Sequence, residues 1–227
     1  MAETTTVVRP TTAIFPTAAR LSLAGAATFV VLLAALHVVK PEIDPSWRFI
    51  SEYALGDYGW VMVLAFFSLA LSYVALFVAL RSDARTLAGR LGLALLLVSA
   101  AGLTIAGIFT TDPVTASKDA ITARGKLHNV GGALGIAMPF AAALVSRSLA
   151  RNDAWSPARR ALLWTAGLAW IGFLFAFASL GVMLSRSGGR YGPDVLVGWP
   201  NRLEVLGYSV WLMVVSWWAL KIRGRPS

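Results

Sequence analysis

The stretch WVMVLAFFSLALSYVALFVAL, residues 60–80, decides the fold of this chain. It holds no charged side chain over its whole length. An α-helix rises ~1.5 Å per residue, so about 19 residues reach roughly 28 Å, the thickness of a bilayer's hydrocarbon core. Backbone polar groups in that core must find partners within the segment. The stretch is therefore predicted to be a transmembrane helix.

Five further apolar runs are long enough to cross a membrane. They lie at about 21–39, 88–109, 127–146, 160–184 and 203–220. The alternation typical of a barrel strand is absent from these runs. The predicted fold class is therefore all-α, a six-helix transmembrane bundle. Residues 1–20 are expected to form a flexible cytoplasmic tail, residues 21–220 the six-span domain, and residues 221–227 a basic cytoplasmic tail.

Composition supports a membrane protein over a soluble one. The 227 residues are 57% hydrophobic and only 14% charged, whereas soluble domains carry about 25% charged residues. The net charge of +9 does not indicate a nucleic-acid partner, because the basic residues cluster between the apolar runs and not along one amphipathic face. The chain has no cysteine, which excludes a disulfide framework and a thiolate metal site.

The basic residues also predict the orientation. If the N-terminus is cytoplasmic, twelve of the 20 Lys and Arg residues fall on the cytoplasmic side and eight on the outside. Of the 11 acidic residues, three fall inside and eight outside. Lys and Arg favour the cytoplasmic side of short loops. We therefore expect a multi-pass protein of the plasma membrane, with both termini cytoplasmic.

The notable polar residues all belong to one end of this topology. A candidate polar site on the outer face comprises His37, Glu52, Tyr53, Asp112, His128, Asn201, Arg202 and Glu204. Ionisable residues near or within spans are functional candidates when partners lie nearby. Structural roles stay open for each: Asp112 precedes Pro113 and fits a helix terminator, and Arg202 suits an ion pair with Asp112 or Glu52, or a lipid phosphate.

Three of these residues are candidates for a metal site. His37, Asp112 and His128 make the smallest two-His-one-carboxylate set with open positions, of the kind that holds a divalent transition metal. Such a metal would activate water for hydrolysis. The spacing does not fix the three ligands relative to one another, so ordinary hydrogen-bonding roles for both histidines stay open.

Small residues predict where helices approach closely. The motif Gly131-x-x-x-Gly135 lies on the fourth span. Gly102 and Gly107 on the third span, and Gly167 and Gly172 on the fifth, offer similar thin surfaces. Pro139 is expected to kink the fourth span. The segment from Ser51 to Trp60, rich in Gly and aromatic residues, is expected to pack over the end of the bundle.

The order of these motifs resembles a known family. Ser51-Glu-Tyr-x-x-Gly-x-x-Gly-Trp60 is followed by Gly107-Ile-Phe-x-Thr-Asp-Pro113, by Leu127-His128, and by Asn201-Arg202 before a Trp-containing last span. This order is similar to that of the bacterial membrane proteins grouped as domain-of-unknown-function family 998. The resemblance covers about residues 20–220. The chain departs from the family pattern at Thr110, often Pro, and at Asn201, often Glu. The resemblance implies six helices and no established activity.

Function is not fixed by these residues, and whether the chain is an enzyme stays open. One hypothesis is a polar site on the outer face that binds a membrane lipid or a small ligand. A second is a scaffold whose outer loops bind a protein partner. Two alternatives are a metal-dependent hydrolase acting on outer-leaflet lipid and a small-solute carrier. Against a carrier, no charged residue lies at mid-membrane in the predicted spans.

Overall fold

The computed structural model describes residues 11–223, with side chains from residue 14 onward. Within that range the chain forms seven α-helices joined by loops and short 3-10 turns. They are α1 (Thr11–Val39), α2 (Gly59–Leu80), α3 (Leu87–Ile108), α4 (Ala123–Gly135), α5 (Ala137–Leu149), α6 (Arg159–Arg186) and α7 (Gly198–Arg223). The 3-10 turns are Ile50–Ala54, Lys118–Ala120 and Asp153–Ala158.

The prediction of six transmembrane helices is confirmed. Six helices within residues 11–223 are long and apolar enough to cross a membrane, with α4 and α5 counted as one span of 27 residues. The chain is therefore an all-α, multi-pass membrane protein. Two boundaries differ from expectation. Residues 11–20 belong to α1 and are not a loose tail, and α7 continues to Arg223. Residues 1–10 and 224–227 lie outside the described residues.

The fourth span is broken at Ile136, as the proline predicted. Pro139 has no N–H to donate to the carbonyl four residues earlier, at Gly135, and its ring crowds that carbonyl. The helix ends at Gly135 and restarts at Ala137, and the Ile136 N–H donates to the Ala133 carbonyl at 3.2 Å. Ile136 between the two helices keeps φ −58° and ψ −22°, so the break is a local interruption of the hydrogen-bond ladder.

The spans form a closed ring. Each of α1, α2 and α3 packs against the next span in the chain, α5 packs against α3 and α6, α6 against α7, and α7 returns to α1. Three longer connections, 40–58, 109–122 and 187–197, lie at one end of the ring, which we call the loop end. The two shorter connections, 81–86 and 150–158, lie at the opposite end. The N-terminal end of α1 and the C-terminal end of α7 lie there too, and we call this the terminal end.

Small polar side chains hold the terminal half of the bundle together. The Ser216 hydroxyl donates to Ser22 Oγ at 2.8 Å, and the Ser72 hydroxyl donates to the Ser22 carbonyl at 2.7 Å. Trp211 is fully buried, and its indole N–H donates to Ser146 Oγ at 2.8 Å. These hydrogen bonds join α1, α2, α5 and α7. Without them each polar group would be left unpaired in a hydrocarbon environment.

The glycine predictions are confirmed in part. A Cβ built on Gly102 would lie 2.5 Å from the Gly131 carbonyl oxygen, and one on Gly131 would lie 2.6 Å from the Gly102 oxygen, so α3 and α4 touch backbone to backbone. Gly107 and Gly172 also face close neighbours, Phe67 and the α7 backbone. The Gly135 backbone also approaches α3, since its nitrogen lies 3.3 Å from a Cβ built on Gly102, although a Cβ on Gly135 itself would face open space. The prediction is wrong for Gly167, which faces open space.

Candidate functional site

Arg202 lies at the centre of a buried cluster at the loop end. Only 2% of the residue is exposed. Its Nε donates to His37 Nε2 at 2.7 Å, and its Nη2 donates to the Tyr53 hydroxyl at 3.2 Å. Nη1 donates to the carbonyls of Arg48 at 2.8 Å and Gly198 at 3.0 Å. We call Arg202, His37 and Tyr53 the Arg202 cluster.

The partners of Arg202 fix the state of His37. Because Arg is always a donor, the His37 Nε2 must accept, and the proton of the neutral ring lies on Nδ1. That Nδ1 lies 2.7 Å from the Leu33 carbonyl oxygen, to which it donates. The expectation that Arg202 pairs with Asp112 or Glu52 is wrong: its donors go to a histidine, a tyrosine and two carbonyls.

Glu52 joins the first loop to the second. It is 1% exposed, and its Oε1 receives Arg48 Nη2 at 2.9 Å and the Val114 N–H at 2.9 Å. Its Oε2 accepts the Phe49 N–H at 3.2 Å. The turn that carries Glu52 and Tyr53 packs against α2 and α7. The expectation that the segment from Ser51 to Trp60 packs over the bundle end is therefore confirmed for its first part, whereas Gly56, Asp57, Tyr58 and Trp60 are exposed.

Lys40 fastens the same segment from α1, and sequence reasoning did not single it out. It is buried, and its ammonium donates to the carbonyls of Tyr53 and Leu55. Its position directly after an apolar run was the only signal for it. In the same loop, outside the spans, Asp44 accepts hydrogen bonds from the Ser46 hydroxyl and the Ser46 N–H. These bonds, the first more than the second, hold the pKa of Asp44 below its ordinary value.

Asp112 organises the start of α4. Its Oδ2 accepts the Thr122 N–H at 2.8 Å, and its Oδ1 accepts the Thr122 hydroxyl at 3.0 Å. Thr122 in turn caps α4 by accepting the Gly125 N–H. Gly125 is required there, because a Cβ at that position would collide with the Asp112 carboxylate. The expectation that Asp112 terminates the third span is wrong, because α3 already ends at Ile108, and Asp112 has a structural role at the start of α4 instead.

His128 is held by the end of α3. Its Nδ1 lies 3.1 Å from the Ala106 carbonyl oxygen and 2.9 Å from that of Phe109. Both neighbours are acceptors, so Nδ1 carries the proton. In the neutral ring Nε2 is then an acceptor, and no donor contacts it among the described residues.

Asn201 and Glu204 lie on the inner side of the first two turns of α7. The Asn201 Oδ1 accepts the Ile50 N–H at 3.1 Å, which ties α7 to the first loop. The Glu204 Oε1 accepts the Tyr208 hydroxyl at 2.8 Å. Within residues 14–223, no Lys, Arg or His side chain lies within ion-pair distance of Glu204.

A cavity of about 530 Å³ lies beneath the loops, inside the ring of spans. Its polar residues include Glu52, Asp112, His128, Asn129, Asn201 and Glu204. Its apolar residues include Phe29, Leu69, Leu103, Phe177, Leu180 and Val205. Tyr191 of the third loop also lines it, and burial raises the pKa of that phenol. His37 and Arg202 do not line this cavity.

The structure therefore divides the candidate residues into three groups. His37, Tyr53 and Arg202 form one cluster, and the carboxylates of Glu52 and Asp112 are taken up by loop contacts. His128, Asn201 and Glu204 form the third group, on the wall of the cavity. Sequence reasoning missed Tyr73, Asn129 and Tyr208, which also line it.

The proposed three-residue metal set is not brought together. His37 Nε2 is occupied by Arg202, Asp112 by Thr122, and His128 Nδ1 by two carbonyls. No group of three or more His, Asp or Glu side chains in the described range is arranged to hold a metal ion. The geometry thus does not support His37, Asp112 and His128 as one metal site.

Comparison with known proteins gives a family and no activity. A family model described as "Protein of unknown function (DUF998)" matches residues 23–218. No curated protein and no solved structure matches the chain.

Proposed function

The chain belongs to the DUF998 family of proteins of unknown function, and we propose that its loop-end cavity binds a lipid-like amphiphile taken from the bilayer. The observation that carries this proposal is the composition of the cavity wall. Polar side chains from the loops and from the first turns of α4 and α7 line one end, while apolar side chains of α1, α2, α3 and α6 line the remainder. A ligand with a polar head and an apolar chain matches that division.

The break in the fourth span supports a route of entry from lipid. The extensive contacts of α4 are with α3, whereas those of α6 are with α5 and α7, so α4 and α6 are not packed on each other. Gly132, Ala133 and Ile136 on one side of this gap, and Phe177 on the other, are exposed and line the cavity. An apolar chain can thus reach the cavity sideways without crossing water.

The Arg202 cluster is assigned a framework role in this proposal. A lipid phosphate would need free donors, and every nitrogen of the Arg202 guanidinium already donates. His37 and Tyr53 are occupied by the same contacts. We therefore assign ligand contact to His128, Asn201 and Glu204, and support of the loops to His37, Glu52, Tyr53, Asp112 and Arg202.

We further propose that the loop end faces outward from the plasma membrane, with both termini cytoplasmic. The excess of Lys and Arg at the terminal end supports this orientation. The amphiphile would then come from the outer leaflet.

The absence of cysteine from the chain makes a direct test of orientation simple. Ser117→Cys lies at the loop end and Ser156→Cys at the terminal end, and both serines are exposed. In intact cells a membrane-impermeant maleimide should label the Ser117→Cys variant alone, and both variants after the cells are opened. Labelling of Ser156→Cys alone in intact cells would reverse the orientation.

Binding is tested with a neutral amphiphile, a monoacylglycerol, added to protein in a nonionic detergent. Gly132→Leu places a side chain in the cavity, since a Cβ at Gly132 meets no atom within 4 Å. Gly167→Leu is the matched control, because Gly167 is also helical and open but does not line the cavity. Both changes replace a helical glycine by a better helix former.

Native mass spectrometry should show the monoacylglycerol bound to the wild type and to Gly167→Leu, with binding to Gly132→Leu weaker by about tenfold or more, which is ~1.4 kcal/mol. Equal binding to all three proteins would place the amphiphile outside the cavity. Absence of binding to well-folded wild-type protein would refute the proposed function.

A further inference from the structure

We propose that the cavity selects amphiphiles whose head is a positively charged nitrogen, with Glu204 as its counter-charge and the rings of Tyr73 and Tyr208 around it. This inference rests on the proposed amphiphile site and specifies the ligand class. It follows from the charge, the hydrogen-bonding capacity and the aromatic content of the cavity wall.

Within residues 14–223, the charged side chains that line the cavity are all acidic. Three carboxylate side chains, Glu52, Asp112 and Glu204, line the cavity, and the described residues that line it include no Lys and no Arg. An anionic head would enter beside these carboxylates with no cation to pair with. In a site of low dielectric that repulsion is larger than in water.

Glu204 is the carboxylate that is open to a ligand. Glu52 is paired with Arg48 and accepts two backbone N–H groups, and Asp112 is bound to Thr122 on both oxygens. Glu204 receives the hydroxyl of Tyr208 and a side-chain hydrogen bond from Asn201, and both of these partners are neutral. It lies six residues after the start of α7 at Gly198, about 9 Å along the helix. An acidic side chain so far into a span usually has a charged partner, and no Lys, Arg or His among the described side chains lies within ion-pair distance of it.

His128 adds a second acceptor to the cavity wall. His128 keeps its proton on Nδ1 for the Ala106 and Phe109 carbonyls, which leaves Nε2 as an acceptor at the cavity wall. A head that donates hydrogen bonds satisfies both His128 and Glu204. A protonated amine donates and carries the charge that Glu204 requires.

Aromatic rings complete the recognition of a cation. Tyr73 and Tyr208 line the cavity, and Tyr208 is bonded directly to Glu204. Phe66, tilted against the His128 ring at a centroid distance of 6.0 Å, lines it too. Ring faces attract ammonium groups, and the attraction grows when water is excluded. A carboxylate beside several aromatic rings is therefore suited to an alkylammonium head.

The experiment compares three probes of equal chain length: hexadecylamine, hexadecanol and hexadecanoate. Each is titrated into wild-type protein in nonionic detergent, with bound ligand counted by native mass spectrometry and thermal unfolding followed in parallel. A fourth probe, tetramethylammonium, carries the charge without the chain. The variants are Glu204→Gln, which keeps an oxygen for Tyr208 but removes the charge, and Asp119→Asn, which removes an exposed carboxylate outside the cavity.

We expect wild type and Asp119→Asn to prefer the amine over the alcohol by about tenfold to a hundredfold, and to bind the carboxylate least. In Glu204→Gln the alcohol should bind as before and the preference for the amine should fall below about threefold. Tetramethylammonium should leave the unfolding temperature unchanged.

Equal affinity of the wild type for the amine and the alcohol would overturn this inference while leaving the amphiphile site intact. So would an amine preference that survives in Glu204→Gln, or stabilisation by tetramethylammonium equal to that by hexadecylamine. If none of the three long-chain probes binds to the folded wild type, the proposed function itself fails.

Discussion

Arg202 and Glu204 are two residues apart on α7, yet their surroundings differ in kind. The guanidinium is buried and donates four hydrogen bonds to protein acceptors. The carboxylate lines a cavity, receives hydrogen bonds from Tyr208 and Asn201, and has no cationic partner among the described residues. A charged group whose bonds are all made within the protein holds the fold together, whereas one left open to a cavity is available to a ligand. The comparison teaches that burial alone does not identify a site, and that unfilled hydrogen-bonding capacity does.

The largest effect is expected from Arg202→Met. The change leaves His37, Tyr53 and the carbonyls of Arg48 and Gly198 without their donor in a buried place, and each buried polar group left unsatisfied typically costs about 1–3 kcal/mol. The protein should be poorly expressed or unfold at a much lower temperature in detergent. Arg124→Met, at an exposed position on α4, is the control and should behave like the wild type.

The same variant separates the two regions. If Arg202 were a ligand contact and not part of the framework, Arg202→Met would keep its unfolding temperature and lose amphiphile binding. That result would invert the comparison between Arg202 and Glu204. If Arg202→Met is less stable but its remaining folded protein still binds the monoacylglycerol, the result supports a framework role for Arg202.

A smaller effect is expected where the framework and the cavity meet on α4. Gly131 and Gly132 are neighbours, but Gly131 faces the Gly102 carbonyl and Gly132 faces the cavity. Gly131→Ala should therefore destabilise the protein by about 1–3 kcal/mol, because α3 and α4 must separate. Gly132→Ala should stabilise it by roughly 0.5–1 kcal/mol through helix propensity. Thermal unfolding of the two variants side by side measures the difference.

If the two alanine variants unfold at the same temperature, α3 and α4 are not in backbone contact, and the distinction between a packed and an open face of α4 is lost. An unfolding temperature of Gly132→Ala below that of the wild type would likewise count against an open cavity at this position.

The spans could be predicted from the sequence because the length of an apolar run decides whether a helix can cross the membrane. The break in the fourth span could be predicted because the N–H that proline lacks affects only the adjacent turn of the helix. It also predicted that the polar motifs share one end, since up-and-down connectivity requires that. The partners at that end were not predictable. Arg202 bonds to His37 across 165 positions of sequence, and Val114 to Glu52 across 62. Such pairings depend on loop packing and not on any spacing within a motif.

The glycines show the same limit. Gly131 and Gly135 lie on one helix in a familiar spacing, and the backbone of each approaches Gly102 of α3. A Cβ on Gly131 would collide with α3 whereas one on Gly135 would face open space, so the motif alone does not say which of the two glycines is required. The cavity follows from the break at Ile136, because α5 stays in the bundle while α4 follows α3 alone.

The smallest effect is expected at the terminal end, where a charge is paired but not deeply buried. Arg223 donates to the Asp83 carboxylate at 2.8 Å and to the Ala79 carbonyl at 2.8 Å, with side chains 19% and 23% exposed for Arg223 and Asp83. Exposed ion pairs typically contribute about 0.2–1 kcal/mol. A double-mutant cycle with Arg223→Gln and Asp83→Asn, read by thermal unfolding, should give a coupling energy in that range. A coupling energy above about 2 kcal/mol would mean that a partly buried ion pair stabilises the fold as much as a buried one. The stability of the Arg202 cluster would then depend more on its hydrogen-bond partners than on its burial.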